Sequence, residues 1–297
     1  MPEGPEVQTI VNDLNRKIIG RRIIGVWTDW PKMIKTGAKV FSKEIKGAKI
    51  KSVRRRGKNI LIDLDKDRLL LIHQKMTGHL LVGKWEIEKE GFKYRPVPLV
   101  KGPLQERVND FIRLIFYLDN GQMLGLSDMR RFAKVLFGRT EEIENLRELK
   151  KLGVDPIDPK TTFSDFKLAI TKRTRNIKQV LMDQTVISGV GNIYADDILW
   201  FTRIHPLRKA SSLTEKELKS IWLATRSILK KAIKLRGIST ADFRDTAGKK
   251  GSYGNIVLAY RRTGLPCKRC KTPIKRIKIG GRSAHFCPKC QVLGSRD

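Results

Sequence analysis

The chain has 297 residues, of which 62 are Lys or Arg and 30 are Asp or Glu, so its formal net charge at pH 7 is +32. So large a positive charge favours a polyanionic partner, because each neutralised phosphate releases condensed counterions. No segment has the length and apolarity of a membrane span, and no secretory signal begins the chain. We therefore expect a soluble, cytoplasmic protein that binds nucleic acid and no membrane. Charge alone does not distinguish an enzyme from a packaging or structural protein.

The first residues, MPEGPEVQTI, allow two interpretations. Apolar residues recur at helical spacing and predict an amphipathic helix: Val7, Ile10, Val11, Leu14 and Ile18. Pro2, Glu3 and Glu6 suit the start of such a helix, where proline and carboxylates are favoured. Alternatively, removal of Met1 would leave Pro2 with a free amine beside Glu3, and amines attack carbonyl carbons to form Schiff bases. This stretch by itself leaves both interpretations open.

The rest of the chain divides into a β-rich half, a helical half and a cysteine-containing end. Strand-like segments fill 21–83 and resume after 110, where Asp119-Asn120-Gly121 predicts a hairpin turn. Residues 84–106 contain three prolines and are predicted to form a surface loop. We place the domain boundaries at 1–139, a linker at 140–160, a helical domain at 161–256, and a terminal module at 257–297.

The cysteines form the most specific single motif. Two Cys-x-x-Cys pairs are separated by 16 residues and consist of Cys267, Cys270, Cys287 and Cys290. This spacing is typical of a tetrahedral zinc site. Four protein ligands leave no open coordination position, so the zinc would be structural and would fold a module too small to have its own core. Basic residues crowd the segment between the pairs, and either form a generic basic ribbon or face phosphates: Lys275, Arg276, Lys278 and Arg282.

Three further segments are candidates for nucleic-acid contacts. In SGVGNIY, Gly189 and Gly191 break a helix and Asn192 is predicted to be the N-cap of the next, which makes either a phosphate site or a tight helix–helix turn. In RRRGKN, Lys58 belongs either to a solvated basic face or to a groove.

The segments HQKMTG and DMRRFA carry the candidate wedge residues Met76, Arg130 and Phe132. Apolar tips near a basic surface can replace an extruded base in the stack. Each of the segments, taken singly, also fits an ordinary place in the core.

Together these motifs resemble, from end to end, the bacterial formamidopyrimidine-DNA glycosylases and their endonuclease VIII cousins. The resemblance rests on PEGPEV, RRRGKN, HQKMTGHL, DMRRF, GVGNIYADDILW, the GISTADFRD and GKKGSYG segments, and the four-cysteine end. It implies an α+β multidomain fold with an N-terminal helix and β-sandwich, a helix-two-turn-helix domain, and a four-cysteine zinc finger. The expected partner is double-stranded DNA that contains oxidised bases or abasic sites. The sequence gives no sign of oligomerisation, so we expect a monomer.

The resemblance also implies residue roles. Pro2, freed of Met1, would be the nucleophile, with Glu3 as the acid that assists sugar-ring opening and Glu6 as its support. Phosphate-gripping positions are matched by Lys58, Asn192 and Arg282, with Arg173 and Arg175 nearby. The residues that fill the place of the flipped base are matched by Met76, Arg130 and Phe132. The loop 237–254 resembles the segment that caps the extruded base.

The implied activity is that of a bifunctional DNA glycosylase and AP lyase for oxidised purines such as 8-oxoguanine and formamidopyrimidines. The alternatives are an endonuclease VIII-like enzyme for oxidised pyrimidines and a non-catalytic protein that binds damaged DNA. The chain departs from the family pattern at Lys75, Phe111, Met129, Ala133, Thr174 and Asp197. These departures bear on substrate range and rate more than on reaction type.

Overall fold

The computed structural model describes residues 1–91, 93–239 and 242–294. The chain folds into two compact units. The first comprises Met1–Lys150 and Leu235–Gly254, and the second comprises Lys151–Lys234 and the chain from Asn255 onward. The domain boundaries drawn from the sequence stay a prediction, and the segment Leu235–Gly254 groups with the first unit.

The first unit contains a β-sandwich with helices packed against it. Its helices are α1 (Gly4–Lys17), α2 (Ala38–Ile45), α3 (Thr140–Glu144) and α4 (Arg147–Lys150). Its strands are β1 (Ile23–Thr28), β2 (Ile50–Arg56), β3 (Asn59–Leu64), β4 (Arg68–His73), β5 (His79–Gly83), β6 (Trp85–Glu90), β7 (Lys93–Pro98), β8 (Ile112–Leu118), β9 (Met123–Ser127) and β10 (Lys134–Arg139). The predicted hairpin turn at Asp119-Asn120-Gly121 is confirmed, since it joins β8 to β9.

Two antiparallel sheets form the sandwich. One has the strand order β1–β8–β9–β5 and the other has the order β10–β4–β3–β2. A single apolar cluster draws residues from both sheets and from α1 and α2. Ile62 and Leu70 supply it from one sheet, Phe116 and Leu126 from the other, and all four are at most 1% exposed. The strands alternate inward and outward side chains, so each sheet places one apolar face in this shared core.

The helix α1 forms where the apolar spacing predicted it. Its inward residues Val7, Ile10 and Leu14 are fully buried in the sandwich core. The helix packs on β2 and β3, and Arg55 on β2 donates a 2.9 Å hydrogen bond to the side-chain oxygen of Gln8. These contacts place the beginning of the chain beside the turn that joins β2 to β3.

The prediction of a surface loop over 84–106 is wrong for its first part. The strands β6 and β7 pair as an antiparallel hairpin there. Trp85 is 2% exposed and packs with Leu81, Ile112 and Ile115, which gives β6 an inward face. Two of the three prolines that suggested a loop, Pro96 and Pro98, lie on β7, whose only described strand neighbour is β6. An edge strand tolerates proline because one of its sides needs no backbone donor.

The segment Leu235–Gly254 is attached to α1 by hydrogen bonds and an ion pair to a buried carboxylate. The Asp13 carboxylate, 2% exposed, accepts from the Arg236 guanidinium and, at 2.9 Å, from the Thr246 hydroxyl. Arg236 also donates to Asp245 at 2.7 Å, and the Lys17 ammonium donates to Thr246 at 2.8 Å. This polar cluster holds a segment that has few apolar side chains of its own.

The second unit is helical with a terminal hairpin. It contains α5 (Phe163–Thr171), α6 (Ile177–Met182), α7 (Asn192–Phe201), α8 (Glu215–Lys234), β11 (Lys275–Ile279) and β12 (Arg282–Phe286). Phe166 of α5 packs on Trp222 of α8 with ring centroids 5.2 Å apart. None of the helices in the described ranges is long and apolar enough to cross a membrane.

We predict that Asp13→Asn lowers the free energy of unfolding by about 1–3 kcal/mol at pH 7, because charged hydrogen bonds to a buried acceptor are weakened. Burial alone would raise the pKa of Asp13, but hydrogen bonds from Arg236, Thr246 and Arg16 outweigh it and lower that pKa. A lowered pKa in the folded state stabilises the fold above the usual aspartate pKa of about 4, and this stabilisation is lost on further acidification.

The measurement is urea unfolding of wild type and Asp13→Asn at pH 7 and about pH 3, with Asp119→Asn in the exposed turn as the control variant. The free energies of unfolding of wild type and Asp13→Asn should differ less at the lower pH than at pH 7. A difference that stays constant would contradict the linkage to Asp13.

Candidate active site and nucleic-acid interface

The beginning of α1 buries the residues proposed for the reaction. Pro2 is buried and Glu3 is 3% exposed. The Glu6 carboxylate accepts a 2.8 Å hydrogen bond from the Glu3 N–H and a 2.9 Å hydrogen bond from the Ile238 N–H. Glu6 therefore fixes the backbone of Glu3 and also holds the segment that contains Ile238. The structure thus brings together Pro2, Glu3 and Glu6, as the sequence predicted.

The N-terminal amine is electrostatically unusual. Burial lowers the pKa of the Met1 amine, the Glu3 and Glu6 carboxylates raise it, and the Lys58 ammonium lowers it; the balance is a lowered pKa. An amine with a lowered pKa is less protonated at neutral pH and is therefore a better nucleophile.

Lys58 lies in the turn between β2 and β3, close enough to act on this amine. The strands pair up to Arg56 and Asn59, which leaves a two-residue turn of Gly57 and Lys58. Gly57 has a φ of 58°, the left-handed conformation that such turns require and that glycine adopts without strain. Lys58 is only 6% exposed. It belongs to the buried site and not to the solvated basic face that the sequence also allowed.

A glycine is required where the returning segment passes Glu6. Gly237 has a φ of 77°, and a Cβ atom at this position would lie 2.7 Å from a carboxylate oxygen of Glu6. The segment from Gly237 onward, which the resemblance associates with base capping, therefore starts against the carboxylate that supports Glu3. Residues 240 and 241 of the predicted 237–254 loop lie outside the described residues.

One buried carboxylate joins the two loops that carry the candidate wedges. Asp128 is fully buried and accepts a hydrogen bond from the Thr77 hydroxyl, in the loop of Met76. It also accepts from the N–H of Ala133 at 2.7 Å, and the Arg130 N–H donates to Thr77 at 3.1 Å. Asp128 was not singled out in the sequence. The acidic residue at the start of DMRRFA is the signal that could have identified it.

The side chains on these loops are exposed. Met76 is 36% exposed and Phe132 is 52% exposed. The Arg130 guanidinium lies 4.9 Å from the centroid of the Phe132 ring. The alternative that these residues are part of the core is therefore wrong. The loop of Arg130 also keeps its anchor through Asp128 although Met129, itself exposed, stands where the family has proline.

In the second unit, Asn192 is not the N-cap that the sequence predicted. The cap is Gly191, whose backbone is extended and whose carbonyl accepts the first helical hydrogen bond, from Ala195. Asn192 is the first residue of α7, because the helical conformation begins with it. Its side-chain oxygen is buried and has no hydrogen-bond partner in the described part of the chain. The amide is therefore left available for a ligand.

The hairpin of β11 and β12 turns at Gly280 and Gly281, whose φ angles are 53° and 76°. A Cβ atom on Gly280 would lie 2.6 Å from the side-chain nitrogen of Gln179 on α6. The turn is thus pressed against α6, and exposed Arg282 follows it directly at the start of β12.

The predicted arginines before α6 differ from each other. Arg173 is exposed, in the segment that leads into α6. The Arg175 guanidinium is half exposed and forms an ion pair with Asp183. Both lie in the same unit as Arg282, but Arg175 already has a protein partner.

A buried charge network that the sequence did not reveal fixes the Arg282 hairpin. Lys178 and Asp196 form an ion pair in which both side chains are 1% exposed. Lys178 also donates to the Ser283 carbonyl at 2.9 Å. The other oxygen of Asp196 contacts Nδ1 of His285 at 2.7 Å and accepts its backbone N–H at 3.1 Å. Lys178 lies three residues before Leu181, on the apolar face of a helix, and that position was the available signal.

Asp197 has a related role. Its buried carboxylate accepts backbone hydrogen bonds from Leu258, Ala259 and Tyr260 at 3.0, 2.9 and 3.3 Å. These bonds attach the chain that leads into the cysteine module to α7. The shorter side chain at this departure from the family pattern is therefore fully used within the protein.

The four cysteines come together as a metal site. The sulfur atoms of Cys267, Cys270, Cys287 and Cys290 all lie within 4.8 Å of one another. Backbone N–H groups point at two of them, from Arg269 to Cys267 at 3.5 Å and from Cys290 to Cys287 at 3.4 Å. Such donors stabilise thiolates, the form that binds zinc.

The cysteine module is attached to the end of α7. The Arg269 guanidinium lies 4.2 Å from the centroid of the Trp200 ring. It also donates to the carbonyls of Trp200 and Phe201 at 3.3 and 3.2 Å. A cation is favourable there because carbonyls at the C-terminal end of a helix lack helical partners. Folding of the module and the end of this helix are therefore coupled.

We predict that Cys290→Ala removes the bound zinc and destabilises the terminal module, because three ligands cannot replace the closed four-ligand site. The measurement is zinc content by mass spectrometry together with limited proteolysis of the region after Asn255. Lys289→Ala, at the exposed neighbouring residue, is the control and should retain the metal. A Cys290→Ala protein that keeps its full zinc content and resists proteolysis would contradict this assignment.

Comparison with known proteins agrees with this geometry. The family model described as the formamidopyrimidine-DNA glycosylase N-terminal domain matches residues 1–135. The model of the formamidopyrimidine-DNA glycosylase H2TH domain matches 152–244, and that of a zinc finger found in FPG and IleRS matches 264–292. The predicted fold class and the single structural zinc are thereby confirmed.

Full-length relatives carry the same description. The formamidopyrimidine-DNA glycosylase of Herpetosiphon aurantiacus is 35% identical, over 98% of this chain and 100% of its own. That of Pelotomaculum thermopropionicum is 37% identical, over 99% and 100%.

Solved structures match equally well. A complex of Lactococcus lactis Fpg with DNA containing an abasic site has a TM-score of 0.84 and 30% identity, over 98% of this chain and 100% of that one. A mutant of the same protein, bound to DNA containing Fapy-dG, has a TM-score of 0.84 and 31% identity over the same shares. The chain belongs to the formamidopyrimidine-DNA glycosylase family, the DNA glycosylases and AP lyases of base excision repair.

Proposed function

We propose that the chain removes oxidised purines from double-stranded DNA through a Schiff base at Pro2, followed by β,δ-elimination. The observation that carries this proposal is the burial of Pro2 together with charged side chains that act on the chain terminus. Glu3, Glu6 and Lys58 are buried, and all three act electrostatically on the N-terminal amine, whose pKa burial lowers while Met1 carries it. Met1 must first be removed, because its presence makes the Pro2 nitrogen an amide.

The Pro2 nitrogen attacks C1′ of the damaged nucleotide, and the bond from C1′ to the base breaks. Glu3 donates a proton to the ring oxygen as the sugar opens, which leaves an iminium ion between Pro2 and C1′. Because proline is a secondary amine, this imine is always cationic, and it acidifies the proton on C2′. Loss of that proton expels the 3′ phosphate, and the δ-elimination that follows expels the 5′ phosphate.

The remaining predicted residues would bind DNA phosphates or occupy the space that the extruded base leaves. Lys58, Asn192 and Arg282 would bind phosphates around the lesion, and Arg173 and Arg175 would add positive charge. The buried, unpartnered side-chain oxygen of Asn192 supports this assignment, since the amide can present its nitrogen to a phosphate by turning about its terminal bond. Exposed Met76, Arg130 and Phe132 would occupy the place of the extruded base.

The substrate is inferred from the relatives and the loops. Lactococcus lactis Fpg is solved with DNA that contains an abasic site or Fapy-dG. The two wedge loops, joined here through Asp128, favour oxidised purines over the oxidised pyrimidines of endonuclease VIII. We further infer that the protein works as a monomer in the bacterial cytoplasm.

Borohydride trapping of Pro2→Gly tests the nucleophile. Wild type, processed at Met1, should form a covalent adduct with duplexes that contain 8-oxoguanine opposite cytosine or an abasic site. Pro2→Gly should slow adduct formation by about 10²-fold, because the primary amine is displaced and its imine is not permanently cationic. Binding to an uncleavable tetrahydrofuran duplex should be retained.

Pro31→Gly, an exposed proline in the same unit, is the matched control and should trap like wild type. Undiminished trapping by Pro2→Gly would exclude Pro2 as the nucleophile. A wild type that binds these duplexes tightly and forms no adduct would instead favour the non-catalytic alternative. Stronger trapping on an oxidised pyrimidine would favour the endonuclease VIII-like one.

The pH dependence of trapping tests whether the Pro2 amine of the processed chain also has a lowered pKa. The nucleophile is the unprotonated amine, so the rate rises with pH through the amine pKa and then levels off. Burial lowers the pKa of the terminal amine while Met1 carries it. Pro2 is buried as well, so we expect the midpoint for the processed chain to lie below the usual value of about 8. Glu6→Gln removes a charge that raises the pKa and should move the midpoint lower still. A wild-type midpoint at or above 8 would contradict the role of burial.

Arg282→Ala should weaken binding to DNA of any sequence. Loss of one phosphate contact reduces the slope of log K against log salt concentration by about 0.9. Fluorescence anisotropy with a tetrahydrofuran duplex at several salt concentrations measures this slope. Arg147→Ala, on α4 in the other unit, is the control and should leave the slope unchanged. Equal slopes for Arg282→Ala and wild type would remove Arg282 from the phosphate-binding residues.

A further inference from the structure

A buried amide at the end of β4 has no role in the reaction described so far. Gln74 follows β4 directly and is 1% exposed. Neither its side-chain oxygen nor its side-chain nitrogen has a hydrogen-bond partner among the residues that the structure describes. Most buried amides in proteins are bonded, so an amide without partners requires an explanation.

The strand register places Gln74 beside Lys58. The strands β3 and β4 are antiparallel with Ile60 opposite Ile72, so two residues further Lys58 lies opposite Gln74. Ile72 and Leu70 alternate with their neighbours and face the core between the two sheets. Gln74 continues this alternation. It therefore lies at the end of the core where Lys58 acts on the N-terminal amine.

The backbone around Gln74 is held firmly. Its carbonyl accepts a hydrogen bond from the Gly78 N–H at 3.1 Å, and a Cβ atom on Gly78 would lie 2.4 Å from that oxygen. The neighbouring His73 ring accepts the Lys75 N–H at 3.0 Å. Burial, together with Lys75 and Lys58, lowers the pKa of His73 to about 4, so the ring is neutral at pH 7. Hydrogen bonds therefore hold the backbone that carries the amide, and the His73 ring adds no positive charge beside it.

An apolar side chain of similar size would suit the fold better. A leucine at position 74 would fill the same space and leave no buried polar atom unsatisfied, since replacing an unpaired buried polar group is neutral or stabilising. The amide is thus unfavourable for folding and favourable only if a bound molecule pairs with it. The Gln74 amide offers an acceptor oxygen beside N–H donors. A hydroxyl group matches this arrangement, because it both donates and accepts a hydrogen bond.

We propose that the Gln74 amide binds the sugar hydroxyl that appears when the deoxyribose ring opens. This inference rests on the proposed function. Ring opening breaks the C1′–O4′ bond, and O4′ takes a proton to become a hydroxyl on C4′. That hydroxyl donates to the Gln74 oxygen and accepts from its nitrogen. The closed ring has no hydroxyl at this position, so the contact stabilises the open intermediate and not the bound substrate.

Binding of two uncleavable duplexes tests this proposal. One carries tetrahydrofuran, a closed ring without this hydroxyl, and the other carries a borohydride-reduced abasic site, an open chain with it. Gln74→Leu should bind the tetrahydrofuran duplex like wild type and the reduced duplex about tenfold more weakly. It should also slow adduct formation in borohydride trapping, and it should unfold at the same or a higher temperature.

Two further variants complete the test. Gln74→Met is used if Gln74→Leu does not fold, and Gln122→Leu, in the turn between β8 and β9, is the matched control with wild-type binding of both duplexes. An unchanged ratio of the two affinities in Gln74→Leu or Gln74→Met would overturn the proposal, whatever the change in stability. Absence of an adduct in wild type would instead overturn the proposed function, and the inference with it.

Discussion

The Glu6 carboxylate holds the beginning of the chain in place, and the rest of the candidate reaction site depends on it. One of its oxygens accepts the Glu3 N–H and the other accepts the Ile238 N–H. Gly237 leaves room for this second contact. A chain terminus is ordinarily mobile, and a mobile amine could not be aimed at a sugar carbon. By accepting hydrogen bonds from the backbone of both Glu3 and Ile238, Glu6 fixes the buried segment that contains Pro2, the proposed nucleophile.

Buried carboxylates that accept backbone hydrogen bonds also fix three other segments. Asp128 fixes the two wedge loops, and Asp197 fixes the chain that leads into the zinc module. Asp196, paired with Lys178, fixes the strand that follows Arg282. Removing one partner of such a pair is strongly unfavourable because the other is left buried and charged. These carboxylates therefore impose one geometry on exposed loops that lack a core of their own.

Charged and polar groups of this protein act on DNA over two ranges of distance. The net charge of +32 acts at long range on any polyanion and does not distinguish damaged from intact DNA. Discrimination requires groups at fixed positions, and the groups proposed for it are buried Pro2 and the Gln74 amide. The net charge attracts DNA at long range, and the groups at fixed positions act only on a nucleotide that has entered the site.

The sequence by itself determined the parts that depend on local spacing. The helix at Val7–Leu14, the turn at Asp119–Gly121 and the four-cysteine site follow from periodicity, turn chemistry and ligand spacing, which neighbouring residues set. Motif order also identified the family and the candidate residues from Pro2 to Arg282. These features needed no knowledge of what packs against them.

Tertiary structure decided the rest, because burial depends on residues that are distant in the chain. The prolines of β7 suggested a loop, but Trp85 found an apolar partner in Ile115 and made the segment a hairpin. Gly191 took the cap position expected for Asn192, and Lys178 proved to be buried in a charge network. No local pattern shows that the amide of Gln74 is buried without a partner among the described residues, since its surroundings come from strands that only folding brings together.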